Sequence, residues 1–149
     1  MTHCNIRRVL GATLLLSLGS IAAHAEGCSN STLSGGYSYQ VVGQDGAAAP
    51  FQPFATERLV TFDGRGNLSG NGYRVLAGVG AETSVTGTYS VRSDCSVTFD
   101  ITVLGADNAV KDRDKTFGVI TEAGKRIHGV VNDSLVTGTN VVQFDKVSQ

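Results

Sequence analysis

The sequence predicts an all-β fold, a single eight-stranded antiparallel barrel with one disulfide, and two observations carry this prediction. Residues 97–104 alternate apolar and polar side chains with a period of two, which is typical of a strand buried on one face. Eight β-rich runs follow residue 26 at short spacing, separated by turn residues, and none of them shows helical periodicity. Such spacing indicates an antiparallel barrel or a sandwich, and we expect the barrel.

The first 25 residues have the layout of a secretory signal peptide. Arg7 and Arg8 precede an apolar run, residues 9–21, and Ala23-His24-Ala25 places small residues where signal peptidase reads them. The apolar run is too short to be a permanent membrane anchor. We therefore expect cleavage after Ala25, a secreted or periplasmic protein without a membrane anchor, and one domain over residues 26–149.

The mature chain retains two cysteines, Cys28 and Cys95, because Cys4 is removed with the signal. Two cysteines in an exported chain most simply form one disulfide. Lipid attachment at Cys28 would need an aliphatic and a small residue just before it, and Glu26 fits that pattern badly. A Cys28–Cys95 bridge would close a long loop and contribute on the order of 4 kcal/mol.

The predicted strands follow one another along the chain and are joined by turns. They cover residues 37–42, 57–62, 68–76, 83–91, 97–104, 116–121, 126–131 and 140–147. Residues 44–54 form a loop that contains both prolines. Before the sixth strand, Asp112-Arg113-Asp114-Lys115 is a mixed charge run, which we interpret as a solvated hairpin edge.

The stretch between the second and third strands, TFDGRGNLSG over residues 61–70, predicts a hairpin turn. Glycine tolerates positive φ and aspartate bonds its neighbouring backbone, so Asp63-Gly64 favours a turn. A calcium loop is excluded because Arg65 occupies the middle ligand position and no acid closes the loop. A phosphate cradle is excluded because no helix follows the glycines.

Composition excludes several classes of function. Loss of Arg7 and Arg8 leaves ten basic residues against thirteen acidic ones, a formal charge of −3, which gives no reason to expect nucleic acid or an anionic membrane as partner. A single mature histidine, His128, and two bridged cysteines cannot form a zinc site. The chain lacks a Gly-x-Ser-x-Gly elbow, so a serine hydrolase is excluded. We expect no metal and no cofactor.

Several short motifs carry a resemblance. They are Leu33-Ser34-Gly35-Gly36-Tyr37-Ser38-Tyr39, Phe62-Asp63-Gly64-Arg65-Gly66-Asn67, Gly87-Thr88-Tyr89-Ser90-Val91 and Asp94-Cys95. Over most of the mature chain this pattern resembles small secreted bacterial barrels of the allene oxide cyclase-like, calycin-like kind. The resemblance implies a scaffold, since related barrels include cyclases, dirigent-type proteins and lipocalin-like carriers. No catalytic residue of those families matches a position here.

Inward polar residues are the candidates for chemistry, because interior and exterior side chains alternate in a barrel. In the second strand the set containing Arg58 is more apolar than the set containing Glu57, which favours Arg58 at a barrel end and Glu57 outside. Arg74 and Tyr73 lie on opposite faces of the third strand. Each is a candidate to border a cavity, and the sequence does not decide between them. His128 is interpreted as an exterior or structural residue, with a general base or a ligand contact as the alternative.

Three functions are consistent with the predicted exported barrel. The first is a non-enzymatic protein that binds a small apolar ligand in or near the barrel mouth, with apolar walls from Tyr37, Phe51, Phe54, Tyr73 and Tyr89. The second is a cofactor-free cyclase or isomerase, with Arg74, Glu57 and His128 as candidate catalytic residues. The third is a structural or interaction protein of the cell envelope with a packed interior. A binder needs a cavity of a few hundred Å³, and we expect a monomer or a weak dimer.

Overall fold

The computed structural model describes residues 27–45, 50–134 and 140–147, and it is a closed antiparallel barrel. Each strand pairs with its neighbours in the chain, and the last strand closes onto the first. The strands are β1 Ser34–Asp45, β2 Gln52–Asp63, β3 Asn67–Leu76, β4 Val79–Val91, β5 Ser96–Gly105, β6 Val110–Thr121, β7 Arg126–Ser134 and β8 Asn140–Lys146. The predicted fold class and strand number are confirmed. The predicted signal peptide lies outside the described residues.

The barrel has two ends, which we name by how they are filled. The closed end carries the turns at residues 64–66, 92–95 and 122–125, together with a short 3-10 helix, Asn30–Thr32. The open end carries the turns at residues 77–78 and 106–109 and the connections from β1 to β2 and from β7 to β8. In an up-and-down barrel every second connection lies at the same end, so the two groups of connections face opposite directions.

The closed end is filled by aromatic rings. Phe62 lies between Tyr37 and Tyr89 in edge-to-face contacts, with ring centroids 4.9 and 5.1 Å apart. The Tyr37 hydroxyl donates to the carbonyl of Gly124 (2.6 Å), and the Tyr89 hydroxyl donates to the carbonyl of Leu33 (3.0 Å). Buried phenols need such partners, so these rings act as packed core residues.

The predicted disulfide is confirmed and lies at this end. Cys28 is bonded to Cys95, with their Cα atoms 4.9 Å apart. The bridge ties the segment before β1 to the turn between β4 and β5, across 67 positions of sequence. A crosslink over so long a loop removes much of the freedom of the unfolded chain.

The predicted turn after β2 is also confirmed. Gly64 and Gly66 have φ of +73° and +116°, a region that favours glycine. Asp63 accepts hydrogen bonds from the backbone N–H of Arg65 (2.7 Å) and of Asn67 (2.9 Å), and from the Asn67 side chain (2.6 Å). The hydrogen bond from the Asn67 side chain is the main reason that the pKa of Asp63 falls to about 2. The carboxylate therefore acts as a turn clamp.

Six strands, β1 to β6, begin earlier than predicted, and the differences are largest in β2 and β6. β2 begins at Gln52, so Phe54 lies in a strand and not in the preceding loop. β6 begins at Val110, and the interpretation of residues 112–115 as a solvated hairpin edge is wrong. Asp112 and Asp114 face the interior and are only 6% and 9% exposed. They fit there because two arginines share the same interior space, as described below.

Within the three described segments, no helix has the length and apolar character needed to cross a bilayer.

Candidate functional site at the open end

The interior of the open end is polar and charged, in contrast to the aromatic interior of the closed end. Arg58, only 4% exposed, shares this space with Asp112, Asp114 and the half-buried Arg74. We call these four residues the ion cluster. Its two positive and two negative formal charges cancel, which is the condition under which charges are tolerated in a barrel interior.

Strand register brings the ion cluster together. Arg58 on β2 pairs with Gly72 on β3, and Thr56 pairs with Arg74, so the two arginines extend inward from adjacent strands. A Cβ at Gly72 would overlap the carbonyl oxygen of Glu57 and would lie 2.7 Å from Cγ of Arg58, closer than such atoms approach. The glycine therefore leaves room for both the backbone of β2 and the Arg58 side chain. β6 supplies the two carboxylates by period-two alternation.

Arg58 is held by contacts on several sides. Its Nε donates to Oγ1 of Thr83 (3.2 Å), and its guanidinium carbon lies 5.6 Å from the centroid of the Tyr39 ring. Burial lowers the pKa of Arg58, and the negative charges of Asp114 and Asp112 act in the opposite direction. Arginine keeps its charge at any physiological pH, so these contacts fix a permanent cation inside the barrel.

The pKa of Tyr39 is shifted as well. Burial is the main cause and raises it, and the charge of Asp114 raises it further. The ring stacks on Phe144, with centroids 4.4 Å apart. The phenol therefore stays neutral and can act as a hydrogen-bond donor or acceptor.

A small hollow adjoins the ion cluster. Its volume is about 10 Å³, enough for one water molecule or one hydroxyl group. Asn140 borders the hollow, and its Oδ1 is buried with no hydrogen-bond partner among the described residues. The same holds for Oη of Tyr39 and Oγ1 of Thr116, two further polar atoms that are buried in the barrel. The interior thus retains unused hydrogen-bonding capacity, at about 1–3 kcal/mol for each atom left unsatisfied.

A groove of about 790 Å³ lies above the hollow at the rim of the open end. It exists because the hairpin of β3 and β4 extends beyond β5. Among the described residues, positions 79–82 of β4 pair only with β3, and pairing with β5 starts at Thr83 opposite Gly105. The apolar side of the groove is formed by residues near the hairpin tip, namely Leu76, Ala77, Val79 and Ala81.

Arg74 connects the groove with the hollow. It lines both of them, and its guanidinium carbon lies 5.2 Å from the centroid of the Phe54 ring. Thr83 also lines the groove while it accepts the hydrogen bond from Arg58. An apolar molecule in the groove would therefore have one end against polar groups of the interior.

The predicted site residues lie in several separate places on the barrel. Arg74 and Phe54 lie at the open end, where they border the hollow. Phe51 is exposed beside β2. Tyr37 and Tyr89 are packed in the closed end, so their hydroxyls serve the core.

Glu57 and Tyr73 come together elsewhere, on the outer wall of the barrel. They line a second groove, of about 700 Å³, whose surface is more polar than that of the first. Glu57 accepts a hydrogen bond from the hydroxyl of Ser38. His128 is exposed on β7, opposite Gln143, and contacts neither groove. Of the three catalytic candidates, Arg74 is the one that faces the interior.

Sequence reasoning missed the two aspartates and Asn140. The signal for the aspartates was present, because Asp112, Asp114 and Thr116 continue the alternation that ends at Ile120. The pattern has a period of two: the acidic residues lie on one face, and the other face carries Lys111, Arg113 and Lys115. For Asn140 there was no such signal, since it stands at the start of its strand.

Within the described part of the chain, no group of three or more histidine, cysteine, aspartate or glutamate side chains could hold a metal ion. Comparison of the chain with protein-family models, curated proteins and solved structures found no match.

Proposed function

We propose that this protein binds a small, mainly apolar molecule in the groove at the open end. The observation that carries the proposal is the groove itself, with a volume of about 790 Å³ and a mainly apolar surface. Ligand pockets of small molecules have volumes of ~300–1,000 Å³ and are mainly apolar with a few placed polar groups. Leu76, Val79 and Ala81 would contact the apolar body of the ligand, and Arg74 would contact its polar end.

We also propose that the protein is exported and that it is related to the allene oxide cyclase-like and calycin-like barrels. A disulfide is consistent with an oxidising compartment, which supports secretion or a periplasmic location. The closed eight-stranded barrel is consistent with the resemblance to allene oxide cyclase-like and calycin-like proteins, some of which are carriers. We propose a carrier or sensor of this general kind.

Probe binding to a matched pair of variants tests the proposal. N-phenyl-1-naphthylamine, a neutral apolar fluorophore, is titrated into the wild type, Ala81→Phe and Thr86→Phe. Ala81 lines the groove, whereas Thr86 is exposed on the same strand outside it. We expect Ala81→Phe to weaken binding about tenfold, because the ring fills the groove, and Thr86→Phe to bind as the wild type does. Equal affinity of all three proteins, or no binding at all, would contradict the proposal.

Native mass spectrometry of the mature protein purified from its own cells gives a second test. It reports the intact disulfide, the oligomeric state and any retained molecule in one spectrum. A retained apolar molecule that is absent from Ala81→Phe would support the groove as its site.

A cofactor-free cyclase or isomerase is the second candidate, and the ion cluster is the observation that favours it. Fixed charges next to a groove can steer charge that develops in a bound substrate. An enzyme would convert the retained molecule to an isomer of the same mass, which chiral chromatography detects. Arg74→Gln should abolish that conversion, and His128→Gln should leave it unchanged because His128 lies outside both grooves.

A further inference from the structure

We propose that the ligand carries one uncharged hydrogen-bond donor, a hydroxyl group, and that this group occupies the hollow beside Asn140. The ligand class is then an apolar alcohol, with neither a carboxylate nor an ammonium head group. This inference rests on the proposed function, because the apolar body of the ligand lies in the groove.

The position of the hollow supports the inference. Arg74 lines both the groove and the hollow, and Thr83 of the groove is hydrogen-bonded to Arg58 of the hollow. The polar end of a ligand in the groove therefore reaches the hollow by passing beside the side chain of Arg74, which is only partly buried. The volume of about 10 Å³ admits a hydroxyl and excludes a solvated carboxylate.

The charge of the site selects against ions. Arg58 and Arg74 balance Asp112 and Asp114 in formal charge, so a charged head group would leave an uncompensated charge in the barrel interior. Burying such a charge is far more costly than burying a hydrogen-bonded polar group. An uncharged head group leaves the balance intact.

The hydrogen-bonding groups of the hollow identify the head group as a donor. Oδ1 of Asn140 can only accept, and it is buried at 4% exposure without a partner among the described residues. A ligand hydroxyl donates to this atom. An ether of the same size cannot, and it would leave the acceptor unsatisfied.

Four matched eight-carbon compounds test this inference by calorimetric titration at pH 7. They are octanol, its isomer heptyl methyl ether, octanoate and octylammonium, each used below its solubility limit and, for the two ions, below the micellar concentration. We expect octanol to bind at least about tenfold more tightly than the other three, because it alone satisfies the acceptor without adding charge. The comparison needs no variant, so it does not depend on a substituted protein folding.

Two variants then locate the contact. Asn140→Leu removes the acceptor at similar volume, and Asn71→Leu makes the same change at an exposed position of β3. The preference for octanol over its ether should disappear in the first and persist in the second. If the preference survives in Asn140→Leu, the assignment to the hollow is overturned.

The remaining outcomes separate this inference from the proposed function. Equal binding of all four compounds, or tightest binding of an ion, overturns the alcohol assignment and leaves groove binding intact. Failure of all four compounds and of the fluorophore to bind overturns both.

Discussion

The two ends of the barrel are built on different physical principles. At the closed end, aromatic rings fill the interior, and the hydroxyls of Tyr37 and Tyr89 donate to backbone carbonyls. A disulfide there ties the segment before β1 to the turn between β4 and β5. At the open end, two arginines and two aspartates share the interior with buried polar atoms of Tyr39 and Asn140, which have no hydrogen-bond partner among the described residues. The closed end therefore gains stability from packing, whereas the open end retains groups that another molecule can use. The main packed core and the proposed binding site therefore lie at opposite ends of the barrel.

The largest expected effect tests the closed end. Phe62→Ala removes the ring between Tyr37 and Tyr89 from a position that is 2% exposed. We expect a loss of about 4 kcal/mol in the free energy of unfolding, because a cavity replaces a well-packed ring. Urea unfolding measures the loss. Leu59→Ala, on the outer face of the same strand, should change stability by less than about 0.5 kcal/mol. Similar losses in both variants would mean that the closed end is not the stabilising core.

The next effect tests the open end. Asp114→Leu leaves the permanent charge of Arg58 without one of its compensating carboxylates, and we expect a loss of about 3 kcal/mol. The double variant Arg58→Met with Asp114→Leu removes both charges and should recover most of this loss. Thermal and urea unfolding of the wild type, Asp114→Leu, Arg58→Met alone and the double variant give the coupling energy. Additive effects would show that the two side chains do not compensate each other.

A smaller effect tests the close contact of Gly72 on β3 with the backbone of β2 and the side chain of Arg58. Gly72→Ala places a methyl group against the Arg58 side chain and the backbone of β2. We expect a loss of about 2 kcal/mol through overpacking, together with weaker probe binding if Arg58 shifts toward the groove. Asn71→Ala, at the adjacent exposed position, is the control and should be nearly neutral. If Gly72→Ala left the stability unchanged, the backbone of β2 and the Arg58 side chain would have room to shift.

The smallest effect concerns the turn clamp at Asp63 and depends on pH. The pKa of Asp63 is about 2 in the folded protein, below its ordinary value of 3.8, so ionisation favours folding. This contribution is complete above about pH 5 and is lost as the pH falls through 4 toward 2. The stability difference between the wild type and Asp63→Ala should therefore be constant from pH 5 to 7 and shrink below pH 4. Unfolding midpoints measured across this range check the sign, and a difference that grows on acidification would contradict it.

The sequence predicted the closed end better than the open end, and the reason is physical. Alternation of apolar and polar residues marks a strand whose interior face is apolar, as in residues 97–104. At the start of β6 the interior face is acidic, so the same alternation resembles a charged turn. The disulfide was predictable because only two cysteines, Cys28 and Cys95, follow the predicted signal peptide.

The groove could not be predicted from local sequence at all. It depends on how far the hairpin of β3 and β4 extends beyond β5, which is a property of strand register. Arg74 was nevertheless placed in the correct strand, and Phe54 was predicted near the mouth as part of a loop, although it lies in β2. The outward direction of Tyr73 and the packing of Tyr37 depended on tertiary contacts that no single run of sequence encodes.

The overhanging hairpin also has a consequence for the behaviour of the protein in concentrated solution. A closed barrel removes sheet edges, but positions 79–82 of β4 form a short edge that no described strand covers. Val79 is 73% exposed there, and Glu82 places a negative charge at the end of the edge. Charged residues and short length are the usual protection of an edge against pairing with other chains. By this rule Glu82 should hinder pairing of this edge with other chains, and the entrance to the groove is a place where such pairing could begin.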